Sequence, residues 1–441
     1  MKKRIFAFVF VLLSLSILAQ TKTHPEWSKN ATIYEVNLRQ YSEAGTFKEF
    51  QKSLPRLKAM GVNIIWLMPI HPIGEKNRKG TLGSYYSVKD YFDVNPEHGT
   101  KADFKELVEQ IHKTGMYVII DWVANHTAWD NELSDTNPDF FTKDSDGNFT
   151  PPVKDWQDVI DLNYDNIEVW DYMTTALKYW VEEFNIDGYR CDVAGMVPIE
   201  FWNKAVKELE KTKEVFMLAE DSQPKMHSAF DMTYSWDSHH LMNEIAQGKK
   251  NASDLVKLFN EEYKIYPPSA YRMVFTSNHD ENSWKGSVFE RMGDAAEVML
   301  VLSSVVDGMP LVYSGQEAGM NKRLDFFEKD IIEWKDHKFY DLYRTLFTLK
   351  EKNQALWNGD FGGKMNFIEN SNEENVFIFT REKENKKVLA VFNLSNKNQS
   401  VNVSNENIKD NYINLFSKQM SEVSSEMSFE LEPWEYVVLY K

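Results

Sequence analysis

From about Trp27 to Gln354 one rhythm of hydrophobic and polar positions repeats along the chain. Short apolar, β-rich runs alternate with longer amphipathic stretches. The runs that read as strands are 33–38, 63–68, 117–121, 186–192, 215–220, 230–234, 273–276 and 310–313. Helical spacing over 47–60, 101–114, 167–183, 199–211 and 294–306 separates several of them. Strands alternating with helices imply a parallel sheet. Eight such strands over this length predict an α/β fold, a closed (β/α)8 TIM barrel with its site at the C-terminal ends of the strands. The alternative, an open doubly wound sheet, wants a Gly-rich phosphate turn after an early strand, and the chain has none.

Two departures from the rhythm set the domain organisation. Between Asp121 and the helix starting near Ile167 lie about 45 residues rich in Asp, Asn, Pro and aromatics. A loop that long inside a compact domain is usually functional, so 127–166 is read as a short subdomain inserted after strand 3 that forms one wall of a cleft. Near Trp357 the pattern changes to short alternating runs at 376–380, 387–392, 400–403, 428–431 and 436–440, separated by polar turns. This predicts a C-terminal antiparallel β-sandwich over 357–441, docked on a barrel domain of 21–356. The first residues read as an address. Lys2, Lys3 and Arg4 precede an apolar stretch, 5–18, and then Ala19. Residues 1–20 are therefore assigned to a cleavable signal peptide, implying a secreted or periplasmic protein. A short membrane anchor is the alternative, although the run is short for a span.

Composition narrows the function. With 50 basic and 67 acidic side chains the formal charge is −17, which argues against nucleic acid and anionic membranes as partners. No later apolar run is long enough to span a bilayer, so no stable membrane insertion is expected once the signal is cleaved. The single cysteine, Cys191, rules out an intramolecular disulfide. No Cys/His cluster has zinc spacing, and no organic cofactor is implied. Aromatics make up 14% of the chain, a stock that suits sugar stacking as well as core. Oligomeric state is not legible.

The predicted strand ends carry the chemistry. The third ends in Asp121 and runs on to Asn125 and His126; the fourth ends in Arg190-Cys191-Asp192, the fifth in Glu220, and the seventh is followed by Asn278-His279-Asp280. Asp192, Glu220 and Asp280 thus point toward one mouth. Burying carboxylates together is costly unless a site needs their charge. Two of them suit glycosidic cleavage, one protonating the leaving oxygen while the other stabilises or attacks the anomeric carbon. Arg190 lies two residues before Asp192 and so faces the same side of the strand, where it is expected to keep Asp192 ionised. Glu220 is expected to have a raised pKa. Cys191 faces the opposite side, into packing. His126 and His279 can donate to sugar hydroxyls.

The order D-x-x-x-N-H, G-Y-R-x-D, a strand ending in Glu, then N-H-D resembles the α-amylase family, glycoside hydrolase family 13. The segments 83–91 and 308–317 agree with it. The resemblance implies a retaining double displacement on α-glucans, with Asp192 as nucleophile, Glu220 as acid and then base, and Asp280 as transition-state stabiliser. It implies that Tyr86 stacks on the bound ring, that Asp121 braces Arg190, and that the substrate-binding set also includes His126 and His279. The same scaffold serves transglycosylases, α-1,6-glucosidases and cyclomaltodextrinases; a non-catalytic glucan-binding protein would not need both Asp192 and Glu220. One departure concerns calcium. Many members carry Lys-His shortly after the nucleophile, and the matching stretch here is Ala194-Gly195-Met196. Asn125 matches the family asparagine that ligates Ca2+, or serves here as a hydrogen-bonding brace. A second oxygen-rich segment, 144–148, reads as a turn or a cation loop.

Overall fold

The computed structural model describes residues 22–441, so the expected signal peptide lies outside the described residues. The barrel strands follow the predicted order. They are β1 (Ile33–Val36), β2 (Ile64–Leu67) and β3 (Tyr117–Trp122), then, after an inserted pair β4 (His126–Ala128) and β5 (Val159–Asp161), β6 (Gly188–Cys191), β7 (Phe216–Ala219), β8 (Met232–Tyr234), β9 (Tyr271–Val274) and β10 (Met309–Tyr313). The eight barrel strands close in the parallel ring β1-β10-β9-β8-β7-β6-β3-β2, with Ile33 opposite Leu311 at the seam. β4 and β5 form a separate antiparallel pair beside the mouth.

Period-2 alternation builds both sides of the ring. Ile33, Ile64, Trp66, Ile119, Phe216, Leu218, Met273 and Leu311 form one buried cluster. Val36, Ile65, Val118, Ile120, Cys191, Met217 and Val312 belong to another, which they share with the helices. Helix Lys101–Lys113 shows how the outer layer forms. Thr100 and Asp103 make a reciprocal capping box, and Phe104, Leu107, Val108 and Ile111 line the buried face. The helix expected over 47–60 is in fact two, Phe47–Gln51 and Leu54–Met60, with Pro55 in the first turn of the second. A proline ring would clash with the carbonyl four residues back and has no N–H to donate, so it starts a helix and does not continue one.

After helix Lys338–Lys352 the chain enters a six-stranded antiparallel sheet and a two-stranded sheet, Gln399–Ser404 with Glu426–Leu431. In the large sheet Phe377, Phe379, Ala390 and Phe392 share the barrel's outer core, while Ile378, Leu389 and Val391 pack with Val401, Val403 and Leu431 of the small sheet. Buried Arg381 ties the two units together. Its guanidinium donates to the carbonyls of Val306 (2.7 Å) and Gly363 (2.7 Å), one at the end of a barrel helix and one in the linker. Among the described residues no helix is long and apolar enough to cross a membrane.

Candidate active site

The interior register that places Ile33, Ile119 and Leu218 inside the ring carries on, two residues later, to Glu35, Asp121 and Glu220. A buried apolar layer therefore passes directly into a charged one at the C-terminal ends of the strands. Gly188 sets the entry to β6. Its φ is +149°, and a Cβ there would lie 1.9 Å from the carbonyl oxygen of Phe216, so only glycine lets β6 pair closely with β7 just before Arg190.

Arg190, fully buried, organises the layer. It lies beside Asp121 in the β3–β6 register and donates to Asp121 Oδ1 at 2.8 Å and to Asp192 Oδ1 at 3.0 Å, while its Nη2 lies 2.9 Å from Glu220 Oε2. Its Nε donates to the Tyr234 hydroxyl at 3.2 Å. Asp121 also accepts from Trp66 Nε1 (3.2 Å) and the Tyr86 hydroxyl (3.0 Å). Tyr86 OH stands 2.8 Å from His279 Nε2, which lies 3.3 Å from Asp280. Trp284 Nε1 donates to the other oxygen of Asp280 at 3.1 Å. His126 Nε2 is 4.0 Å from Asp192. All eight catalytic and substrate-binding residues read from the sequence therefore meet in one constellation.

Val193, immediately after Asp192, is a β-branched residue at φ +36°. Such a conformation costs on the order of 1–3 kcal/mol and persists where its surroundings over-determine it. Here it aims the Val193 N–H at Glu220 Oε2, 2.7 Å away.

The electrostatics depart from one expectation. Burial and then the neighbouring Glu220 push the Asp192 carboxyl well above the usual carboxylate range, against the pull of Arg190. The same guanidinium also pairs with Asp121 and Glu220. Burial, with Asp280 adding to it, raises Glu220 as expected, while Arg190 opposes. Burial lowers His126 to about 3, so its imidazole is neutral at ordinary pH.

Glu35 was not among the expected residues. It is wholly buried and its carboxylate pairs with His279 Nδ1. Its signal was a lone acid inside the apolar run Ile33-Tyr34-Glu35-Val36. Burial works against charge on His279, but Asp280 and Glu35 carry its pKa up to about 9. That is above the unfolded value near 6.5, so the ion pair's contribution to stability is fully present below about pH 6.5 and is lost as pH rises through about 9. Glu35→Gln removes one of the two anions. The alkaline limb of a kcat/KM profile is expected to move down by about one unit; an unmoved limb would show that the His279 charge is not required.

The cleft above these groups has a volume of about 660 Å3. Tyr86, His126, Trp156, Trp284 and Phe326 line it, with Asp192, Glu220 and Asp280 at its floor. Trp284 stands half-exposed at this mouth. Trp236 lines a neighbouring hollow beside Glu220, and Trp129 packs in the insertion, donating to the Gln157 carbonyl. Cys191 is buried on the outer face, as its register predicts.

The Asn125 amide sits 3.3 Å from His126 Nδ1, the brace reading. Among the described residues no three His, Cys, Asp or Glu side chains stand together as cation ligands. Residues 144–148 are a turn in which Asp144 Oδ1 accepts from the N–H groups of Asp146 and Asn148, both at 2.9 Å.

Comparison with known proteins agrees with this geometry. The α-amylase catalytic-domain family model matches residues 28–157 and 153–425. An α-amylase from Dictyoglomus thermophilum, Alpha-amylase 2, is 28% identical over 406 residues, covering 80% of this chain and 69% of that protein. The crystal structure of a maltogenic α-amylase, AmyB, from Thermotoga neapolitana superposes with a TM-score of 0.87 at 34% identity, covering 94% of this chain and 99% of that one. An α-amylase from Lactobacillus plantarum gives a TM-score of 0.83 at 32% identity, covering 94% of this chain and 99% of that one. With the family pattern running through both the barrel and the β-rich C-terminal part, this chain belongs to the α-amylase family of glycoside hydrolases.

Proposed function

We infer that the enzyme cleaves α-1,4-glucosidic bonds of starch, glycogen or maltooligosaccharides with retention, by double displacement. Asp192 is the nucleophile, Glu220 the acid and then the base for the incoming water, and Asp280 the stabiliser of the oxocarbenium-like transition state. The observation that carries this reading is a single guanidinium touching both Asp192 and Glu220. That favours the short carboxyl separation of about 5–5.5 Å that retention uses over the gap of about 6.5–9.5 Å that admits a water.

In the first step Asp192 attacks the anomeric carbon as Glu220 gives its proton to the departing oxygen. Burial suits Glu220 to start protonated. In the second step Glu220, now ionised, takes a proton from water, which displaces Asp192. Neutral His126 and the Tyr86 ring, both at the cleft surface, orient the reacting sugar. Proton NMR of the first product released from maltoheptaose tests the mechanism. The α-anomer is expected before mutarotation; a first-formed β-anomer would overturn it.

A further inference from the structure

We propose that the enzyme attacks α-glucan chains from their non-reducing ends, because the glycone end of its cleft is closed by the loop 74–84. This rests on the α-1,4-glucan reading above and adds the mode of attack.

The catalytic acid fixes which end is which. A leaving group must lie beyond Glu220, because Glu220 protonates the departing oxygen. On that side the floor opens into the hollow lined by Val193, Gly195, Met196 and Trp236, above the fourth to sixth barrel strands. The sugars retained on Asp192 therefore extend the other way, over Tyr86 and toward the loops that follow the second, third and eighth strands.

Those loops are stitched together. Lys79, in the loop after β2, forms an ion pair with Asp158 of the insertion at 2.9 Å and donates to the Asp155 carbonyl at 2.9 Å. Two residues on, the Thr81 N–H donates to Glu328 Oε1 at 2.8 Å, its hydroxyl bonds the other Glu328 oxygen, and the Leu82 N–H donates to the Phe327 carbonyl at 3.1 Å. Between them Gly80, at φ +63°, passes so close to the β10 loop that a Cβ would lie 2.5 Å from Phe327 Cβ. Buried Arg39 fixes the same junction from below, donating to the carbonyls of Leu82 (3.2 Å) and Gly83 (2.9 Å). A groove open at both ends would need the insertion and the β10 loop to stand apart here. They are instead bridged by a strut whose Lys79 end, together with Asp155, Asp158 and Phe327, lines the cleft itself. The strut bounds the space on this side, so a chain enters with its non-reducing end first, and the depth before the strut sets the product length.

The test compares maltoheptaose with the same oligosaccharide blocked at its non-reducing end by a 4,6-benzylidene group, and scores the products. The wild type is expected to release one predominant short product from the free chain and to cleave the blocked chain at least about tenfold more slowly. The double variant Lys79→Ala/Glu328→Ala should broaden the product distribution and narrow that rate ratio, while Lys79→Arg should keep the wild-type pattern. These readouts are ratios, so partial misfolding does not move them. Equal rates on free and blocked chains with mixed products from the wild type, or an unchanged pattern in the double variant, would overturn the end stop and leave the α-1,4-glucan reading standing. No turnover of maltoheptaose at all would overturn that reading and the end stop with it.

Discussion

Asp192→Asn is expected to lower kcat on maltooligosaccharides by at least about 10^4-fold, on the order of 5 kcal/mol of lost transition-state stabilisation. The amide nearly matches the carboxylate in shape and its oxygen can still accept from Arg190 Nη1, now 3.0 Å from Asp192 Oδ1. Sugar binding should therefore persist, and KM or ligand affinity should change little beside kcat. The amide cannot form the ester that splits one hard displacement into two. A smaller variant, Asp192→Ala, leaves room for azide to attack from the same face, giving a β-glycosyl azide without any protein nucleophile. Recovery of turnover through that product would identify the missing group as the attacking one. Near-normal kcat in Asp192→Asn would refute the assignment.

Arg190→Met is expected to cost about 3–5 kcal/mol of folding stability near neutral pH, together with activity, because it leaves buried charge uncompensated. Arg190 contacts Asp121, Asp192 and Glu220 at once, within 3.0 Å, and is itself inaccessible to solvent. The loss should depend on pH in a defined direction. The folded-state pKa values of Asp192 and Glu220 are already raised, chiefly by burial, and removing the guanidinium raises them further. For groups raised in the folded state, their contribution to stability is fully present below the unfolded values near 4 and is lost as pH rises through the folded ones. The deficit of the variant, measured by denaturant unfolding, should therefore shrink toward pH 4 and widen toward pH 8. An equal deficit at both ends would mean that packing alone is lost. Arg190→Lys should not restore the wild type, since one ammonium cannot present the planar fork that reaches three carboxylates.

Much of this site was legible before any coordinates because strand register is a counting rule. Asp121 and Glu220 lie two residues beyond inward-facing Ile119 and Leu218, and Arg190 and Asp192 share the face opposite Cys191, so their direction follows from the pleat. Glu35 obeys the same rule, yet a single acid in an apolar strand carries no motif, and its partner His279 lies 244 residues away. The strut between Lys79, Asp158 and Glu328 was invisible for a related reason. Exposed-looking charges in loops meet only once the fold brings three separate connections together. In the C-terminal part, strands such as Met420–Val423 and Asp410–Asn414 were missed because little of each is buried and the alternation is weak. The Arg190–Asp192 spacing likewise says nothing of the burial and the Glu220 charge that oppose Arg190 at Asp192.

The seam between β1 and β10 has a consequence for how the molecule comes to life. Strands from opposite ends of the barrel segment must find each other before the ring exists, with Ile33 set against Leu311. Among the strand pairings of the described residues it is the most non-local, and contacts of that kind form late and slowly. Glu35 rides on the first strand of that seam and His279 follows the seventh strand, so their ion pair is assembled only with the ring. Helices and the C-terminal sheet can be in place while the mouth is still unformed. Regained catalysis is thus a clock for ring closure, set later than any signal from secondary structure.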